Sequence, residues 1–92
     1  MKEVQRVAVI SNEVLHFRPF ARLRELSGKL NVDVRLTYSG ETLSAANILA
    51  LTGWELTAGS QVLVTVRGST DVDAALVAVV KFIEEGFGER QC

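Results

Sequence analysis

His16 and Pro19, the sole histidine and the sole proline of the chain, stand three positions apart with Arg18 between them. They lie in the stretch Asn12-Glu13-Val14-Leu15-His16-Phe17-Arg18-Pro19-Phe20. Proline fixes φ and lacks an N–H, so it suits the first turn of a helix. A helix that opens at Pro19 leaves His16 on the loop just before it. The unpaired N–H groups and positive dipole end of that helix then point toward the imidazole. An uncharged imidazole beside an anion-binding helix end, with a guanidinium two residues on, suits the carriage of a phosphoryl group. The competing reading of the same residues is a solvated histidine that caps a loop–helix junction and does no chemistry.

The rest of the composition removes other chemistries. Cys92 is the single cysteine, so no disulfide framework is available, and with one histidine no metal cluster is expected. No second titrating group is clearly placed to serve His16 as base or nucleophile partner, which argues against an independent catalyst. Ten basic and eleven acidic side chains leave a net charge of −1, so no nucleic-acid surface is expected. Arg18, Arg22 and Arg24 nevertheless cluster after His16, while Asp71, Asp73, Glu84, Glu85 and Glu89 load the C-terminal segment. The basic cluster can meet a phosphate or an acidic partner, or form a solvated helix face. There is no signal-peptide pattern and no apolar run of membrane-spanning length, which predicts a cytoplasmic protein without membrane insertion.

Ninety-two residues, 48% apolar and 23% charged, fit one folded domain over 1–92. Val4–Ile10 is rich in β-branched residues and reads as a strand. Pro19 to about Leu30 reads as a helix whose buried stripe is Phe20, Leu23, Leu26 and Leu30. Residues 32–38 alternate throughout, Ser39-Gly40 signals a turn, and Glu41–Ser44 can pair back as a hairpin. Ala45–Leu51 suits a short helix with Asn47 as its N-cap, stopped at Gly53. After a connector at 56–60, Gln61–Arg67 alternates again with Val62, Val64 and Val66 on one side. The clearest helix runs from Thr70 to about Gly86, opened by a box-like pairing of Thr70 with Asp73. Its stripe is Val72, Ala75, Leu76, Val79, Val80 and Ile83. This order predicts an α+β open-faced sandwich: a four-stranded, mainly antiparallel sheet with three helices on one face.

With that order of elements, Leu15-His16-Phe17-Arg18-Pro19 resembles the Leu-His-x-Arg-Pro-Ala motif of the HPr family, the histidine-containing phosphocarrier proteins of the bacterial sugar phosphotransferase system. The likeness runs from about Val4 to Glu89. The Ser39-Gly40 turn, the Leu56-Thr57-Ala58-Gly59 connector, the final helix and Gly86-Phe87-Gly88-Glu89 support it. The resemblance implies that His16 accepts a phosphoryl group from the phosphoenolpyruvate-dependent first enzyme and passes it to a sugar-specific component. Arg18 would neutralise phosphate charge, and no cofactor is implied. Carried over by position, the partner-binding surface would comprise Phe17, Phe20, Arg24, Asn47, Ile48 and Leu49, with core packing the alternative for Phe20 and for one of Ile48 and Leu49.

Four features depart from the family pattern. The loop before His16 is one residue longer and lacks the usual glycine, which removes easy access to positive φ. Phe17 replaces a small or hydroxyl residue that could cap the first helix. Phe20 replaces alanine and is expected to add bulk close to the reactive ring. Asn47 replaces the serine that a kinase modifies in many relatives, so no control by phosphorylation is expected at that position. Phe17 and Phe20 motivate a second reading, an HPr-like module that binds a regulatory protein without efficient phosphotransfer. A third is an unrelated small α/β binding domain in which the His–Arg–Pro triplet is coincidental.

Overall fold

In the computed structural model, described over residues 2–13, 15, 17–69 and 71–88, alternation in the sequence becomes a single sheet. The elements are β1 (Lys2–Val9), α1 (Phe17–Leu30), β2 (Asp33–Tyr38), β3 (Glu41–Ser44), α2 (Ile48–Thr52), β4 (Gln61–Gly68) and α3 (Val72–Glu84). The strand order is β1-β4-β2-β3, and every pairing in it is antiparallel. Of the residues singled out in the sequence, Val14, His16, Thr70, Glu89 and Cys92 lie outside the described set.

Register assigns the faces. Val4, Val66 and Val34 lie side by side across three strands, as do Val64, Leu36 and Leu43. These rows meet Phe20 and Leu23 of α1, Ile48 and Leu51 of α2, and Val72, Val79 and Ile83 of α3 in one core. All three helices therefore cover the same face. The other face is polar along much of its length. Arg67 bonds Glu3 at 3.3 Å, Arg35 bonds Asp33 at 3.1 Å, and the Thr37 and Thr42 hydroxyls meet at 2.8 Å. Such exposed ion pairs stabilise by at most about 1 kcal/mol each, so the covered face supplies the stability.

Ser39 and Gly40 join β2 to β3 with φ of 51° and 84°. Two successive left-handed residues form the turn type whose twist matches a tight hairpin. Trp54, just after α2, closes on this hairpin. Its ring centroid lies 5.6 Å from that of Tyr38, and its indole N–H donates to Glu41 Oε1 at 2.7 Å.

The helix starts differ from expectation. α1 opens at Phe17, not Pro19, which makes Pro19 its third residue. First-turn amides have no partner within the helix, so the missing N–H loses nothing there. Phe17 is then a helical residue and not a failed cap. α2 opens at Ile48, not Ala45, because earlier groups are committed elsewhere. The Ala45 amide bonds the Val34 carbonyl at 2.8 Å, and the Ala46 amide bonds Ser44 Oγ at 3.1 Å. Asn47 occupies the N-cap position with φ −92° and ψ 72°, but its side chain makes no capping hydrogen bond. That ψ departs from the extended conformation usual at a cap. At α3 the cap is Asp71, whose Oδ1 accepts from the Ala74 amide at 3.2 Å. Asp73 is therefore the second helical residue, and Thr70, its expected partner in a box, lies outside the described residues.

The end of α3 matters most for the site. Gly86, at φ 88°, lets the chain turn back: its amide bonds the Ile83 carbonyl, and the Phe87 amide bonds that of Phe82. This paired closure is the Schellman motif, completed here by contact between Phe87 and Phe82, with ring centroids 5.9 Å apart. Phe87 also meets Phe20 edge-on at 5.7 Å and is fully buried. Nearby, Glu84 Oε2 accepts from the Val9 amide at 3.1 Å.

Truncating a ring of this buried cluster removes both packing and area. Phe87→Ala and Phe20→Ala are each expected to lower unfolding free energy by about 3–5 kcal/mol. In a double-mutant cycle read by denaturant unfolding, the pair should couple by about 0.5–1.5 kcal/mol, while additive losses would exclude the edge-on contact as a stabilising interaction.

Candidate functional site

α1 begins at the residue that follows His16 in the sequence. Its first turn carries no acidic side chain of its own to offset the partial positive charge of the helix end. The amides of Phe17 and Arg18 belong to the opening turn, where helical geometry supplies no internal acceptor. Arg18 is exposed, and so is Arg24 farther along the helix. Amides without internal partners and an exposed guanidinium form the donor set that an anionic oxygen group requires. His16 lies outside the described residues, so the site is built here from its surroundings.

Pro19 and Phe20, next in the chain, turn inward. Phe20 is 1% exposed and packs on Phe87, so the expectation that it lines a docking surface is corrected. Its added bulk enters the core because the turn that follows α3 places the Phe87 ring there to receive it. Ile48 is likewise core, 4% exposed, and does not present its side chain to a partner. Leu49 is 78% exposed and Phe17 55%. Asn47 is also at the surface, next to Leu49. Since α1 and α2 pack together, the exposed candidates Phe17, Arg18, Arg24, Asn47 and Leu49 belong to neighbouring helices.

The loop before α1 is held by residues that sequence reasoning did not single out for this role. The Ile10 amide bonds the Ser60 carbonyl, and the Gly59 amide bonds the Ile10 carbonyl, both at 2.8 Å. These bonds join the loop to the connector that precedes β4. Asn12 Nδ2 donates to the Gly86 carbonyl at 3.1 Å, and Leu15 is buried. Between the loop and the segment after α2 lies an open cleft of about 250 Å³, lined by Glu13, Leu15, Thr52, Glu55, Leu56 and Thr57. The connector motif signalled this neighbourhood in the sequence. Nothing in local sequence signalled the bond from Asn12 to Gly86, whose partners are 74 residues apart. Among the described residues no group of three or more His, Cys, Asp or Glu side chains could hold a metal ion. No helix among them is long and apolar enough to cross a membrane.

An open antiparallel sheet with helices on one face and a His–x–Arg–Pro sequence at the opening of its first helix define a class of phosphocarrier. The chain belongs to the HPr family: a family model described as the PTS HPr component phosphorylation site matches residues 4–85. It is 29% identical over 90 residues to the phosphocarrier protein HPr of Chlamydia pneumoniae, an alignment covering 97% of this chain and 82% of that one. Its fold matches the crystal structure of the phosphocarrier protein HPr from Bacillus anthracis with a TM-score of 0.76 at 25% identity, over 90% of this chain and 99% of that one. The HPr structure from Thermoanaerobacter tengcongensis matches with a TM-score of 0.74 at 26% identity, over 99% and 100% of the two chains. Membership implies a phosphocarrier role in the phosphotransferase system, with enzymes of that system as partners.

The contrast between neighbours on α2 gives a direct check. Leu49→Asp should leave unfolding free energy within about 0.5 kcal/mol of the parent, whereas Ile48→Ala should cost about 2–5 kcal/mol. A large loss at Leu49 in denaturant unfolding would mean that its side chain is buried.

Proposed function

We propose that the chain accepts a phosphoryl group on His16 from the phosphoenolpyruvate-dependent first enzyme of the sugar phosphotransferase system and passes it to a sugar-specific transporter component. The observation that carries the reading is the family match spanning residues 4–85, which contains Leu15-His16-Phe17-Arg18-Pro19, with α1 starting immediately after position 16. In the family the acceptor is Nδ1 of the imidazole. A phosphorus–nitrogen bond forms there as the donor's bond to phosphorus breaks, and the reverse exchange hands the group on. Arg18 neutralises part of the phosphate charge, and amides of the first turn of α1 donate hydrogen bonds to the remaining oxygens. Transfer of this kind rests on positioning and electrostatics, most of the catalytic apparatus being the partner's.

Phe17, Arg18, Arg24, Asn47 and Leu49 are the docking residues in this reading. Apolar groups surrounded by cations suit a partner face with an apolar centre and an acidic rim. The exposure of Phe17 and Leu49 also supports a second reading, a module that binds a regulatory protein without efficient transfer. That reading loses one of its two aromatic residues, because Phe20 is buried.

Incubation with phosphoenolpyruvate and a bacterial first enzyme, followed by intact mass measurement, separates the two. The expected result is an acid-labile gain of one phosphate, absent in His16→Ala. Arg18→Ala should slow the transfer about 10- to 100-fold, corresponding to the loss of one charge-assisted hydrogen bond of about 1.5–3 kcal/mol. No mass gain in the parent, even with a first enzyme from the same organism, would favour the interaction module.

A further inference from the structure

An open groove of about 570 Å³ lies at the far end of α1 from the candidate site, where that helix meets the start of β2 and the end of β4. The helix is 14 residues long, which separates the two places by about 20 Å. The volume falls within the range of roughly 300–1,000 Å³ usual for small-molecule sites. Ser27, Asn31, Asp33, Arg67 and Ser69 give the groove polar walls. Gly28 also lines it. Inside a helix glycine is less favourable than alanine, and a cap or a close neighbour ordinarily explains its presence. Neither does so here. The left-handed residue that closes α1 is Asn31, at φ 56°, with its amide bonded to the Gly28 carbonyl and the Val32 amide bonded to that of Ser27. A Cβ at Gly28 would meet nothing within 4 Å. The helix therefore leaves its backbone bare along the groove without any need from its own packing, as suits a ligand that comes close to the main chain.

The charges of the groove are arranged for a ligand that carries both signs. Asp33 and Arg67 stand opposite each other in register across β2 and β4. Opposite charges so placed ordinarily pair. Each is instead drawn to another partner: Asp33 Oδ2 accepts from Arg35 Nε at 3.1 Å, and Arg67 Nε donates to Glu3 Oε1 at 3.3 Å. Asp33 Oδ1 and the two terminal nitrogens of Arg67 make no hydrogen bond among the described residues. The carbonyl end of α1 adds partial negative charge close to Asp33. Lys29, the cation of that last turn, lines a different groove with Glu25 and Phe82. We propose that the groove at the end of α1 binds a free amino acid with a polar side chain. Its ammonium meets Asp33 and the carbonyl end of α1, and its carboxylate takes the terminal fork of Arg67. Its stem lies over Gly28, and its side chain reaches the hydroxyls and amide of Ser27, Ser69 and Asn31. An ion of one sign would leave one of the two charges unanswered. The present partners of Asp33 and Arg67 are exposed ion pairs, which a ligand can outcompete. Phosphoryl transfer plays no part in this inference.

The test is an NMR titration of the full chain with L-serine and with L-asparagine, read at backbone amides. Saturable shifts are expected at Ser27, Gly28, Asn31 and Ser69 with half-saturation below about 10 mM, and none at Leu49 on the other side of the fold. N-acetyl-L-asparagine and L-asparaginamide, each lacking one of the two charges, should bind about tenfold or more weakly. Arg67→Gln and Asp33→Asn should each weaken binding of the parent amino acids by a similar factor of about tenfold. Gly28→Gln places a side chain in the groove and improves helix propensity. It should therefore raise the denaturation midpoint while weakening binding about tenfold or more, a pairing that loss of fold cannot produce. No saturable shift with either amino acid, or unchanged affinity in Gly28→Gln or Arg67→Gln, would overturn the proposal. Equal binding of either singly charged analogue would overturn it in favour of a site for one charge alone.

Discussion

The reversal at Gly86 and Phe87, both at positive φ, sets the Phe87 ring between α3 and α1. A bulky residue pays about 1–2 kcal/mol to enter the left-handed region, so it stays there only when packing fixes it. Here the packing is edge-on contact with two aromatic rings and complete burial. The same turn presents a carbonyl to Asn12, and the carboxylate of Glu84 reaches β1. Strand, loop and helix around position 16 are therefore all referred to one short segment at the far end of the sequence.

Local pattern carried much of the architecture into view. The alternation of β2 and β4 and the α3 stripe from Val72 to Ile83 reappear as buried positions, because period alone decides which face a side chain joins. Helix starts were less legible. At Pro19 the general preference for the first position was outweighed by two further helical residues before it. At Ala45 the sheet kept an amide that a helix would otherwise have used. The Asn47 cap failed on backbone angle, which residue type does not report.

The candidate site divides in the same manner. His16, Arg18 and Pro19 form a contiguous motif, readable because chemistry and helix geometry meet within four residues. Phe20 was ambiguous, since its place in the helical stripe and its nearness to the histidine pointed in opposite directions. Its partner Phe87 decided the matter, and a contact across 67 residues has no local signature. Asn12 was hidden for the same reason.

The bond from the Val9 amide to Glu84 bears on association as well as on folding. β1 lies at the edge of the sheet, and Ile10 next to it directs its amide inward to Ser60. The Val9 amide faces outward, where an unpaired strand edge could template the addition of another chain. With a carboxylate already seated there, an incoming strand would have to displace a charged acceptor and leave it without its donor. At this end the sheet carries its own terminator, and growth by strand addition is discouraged close to the loop that leads into α1.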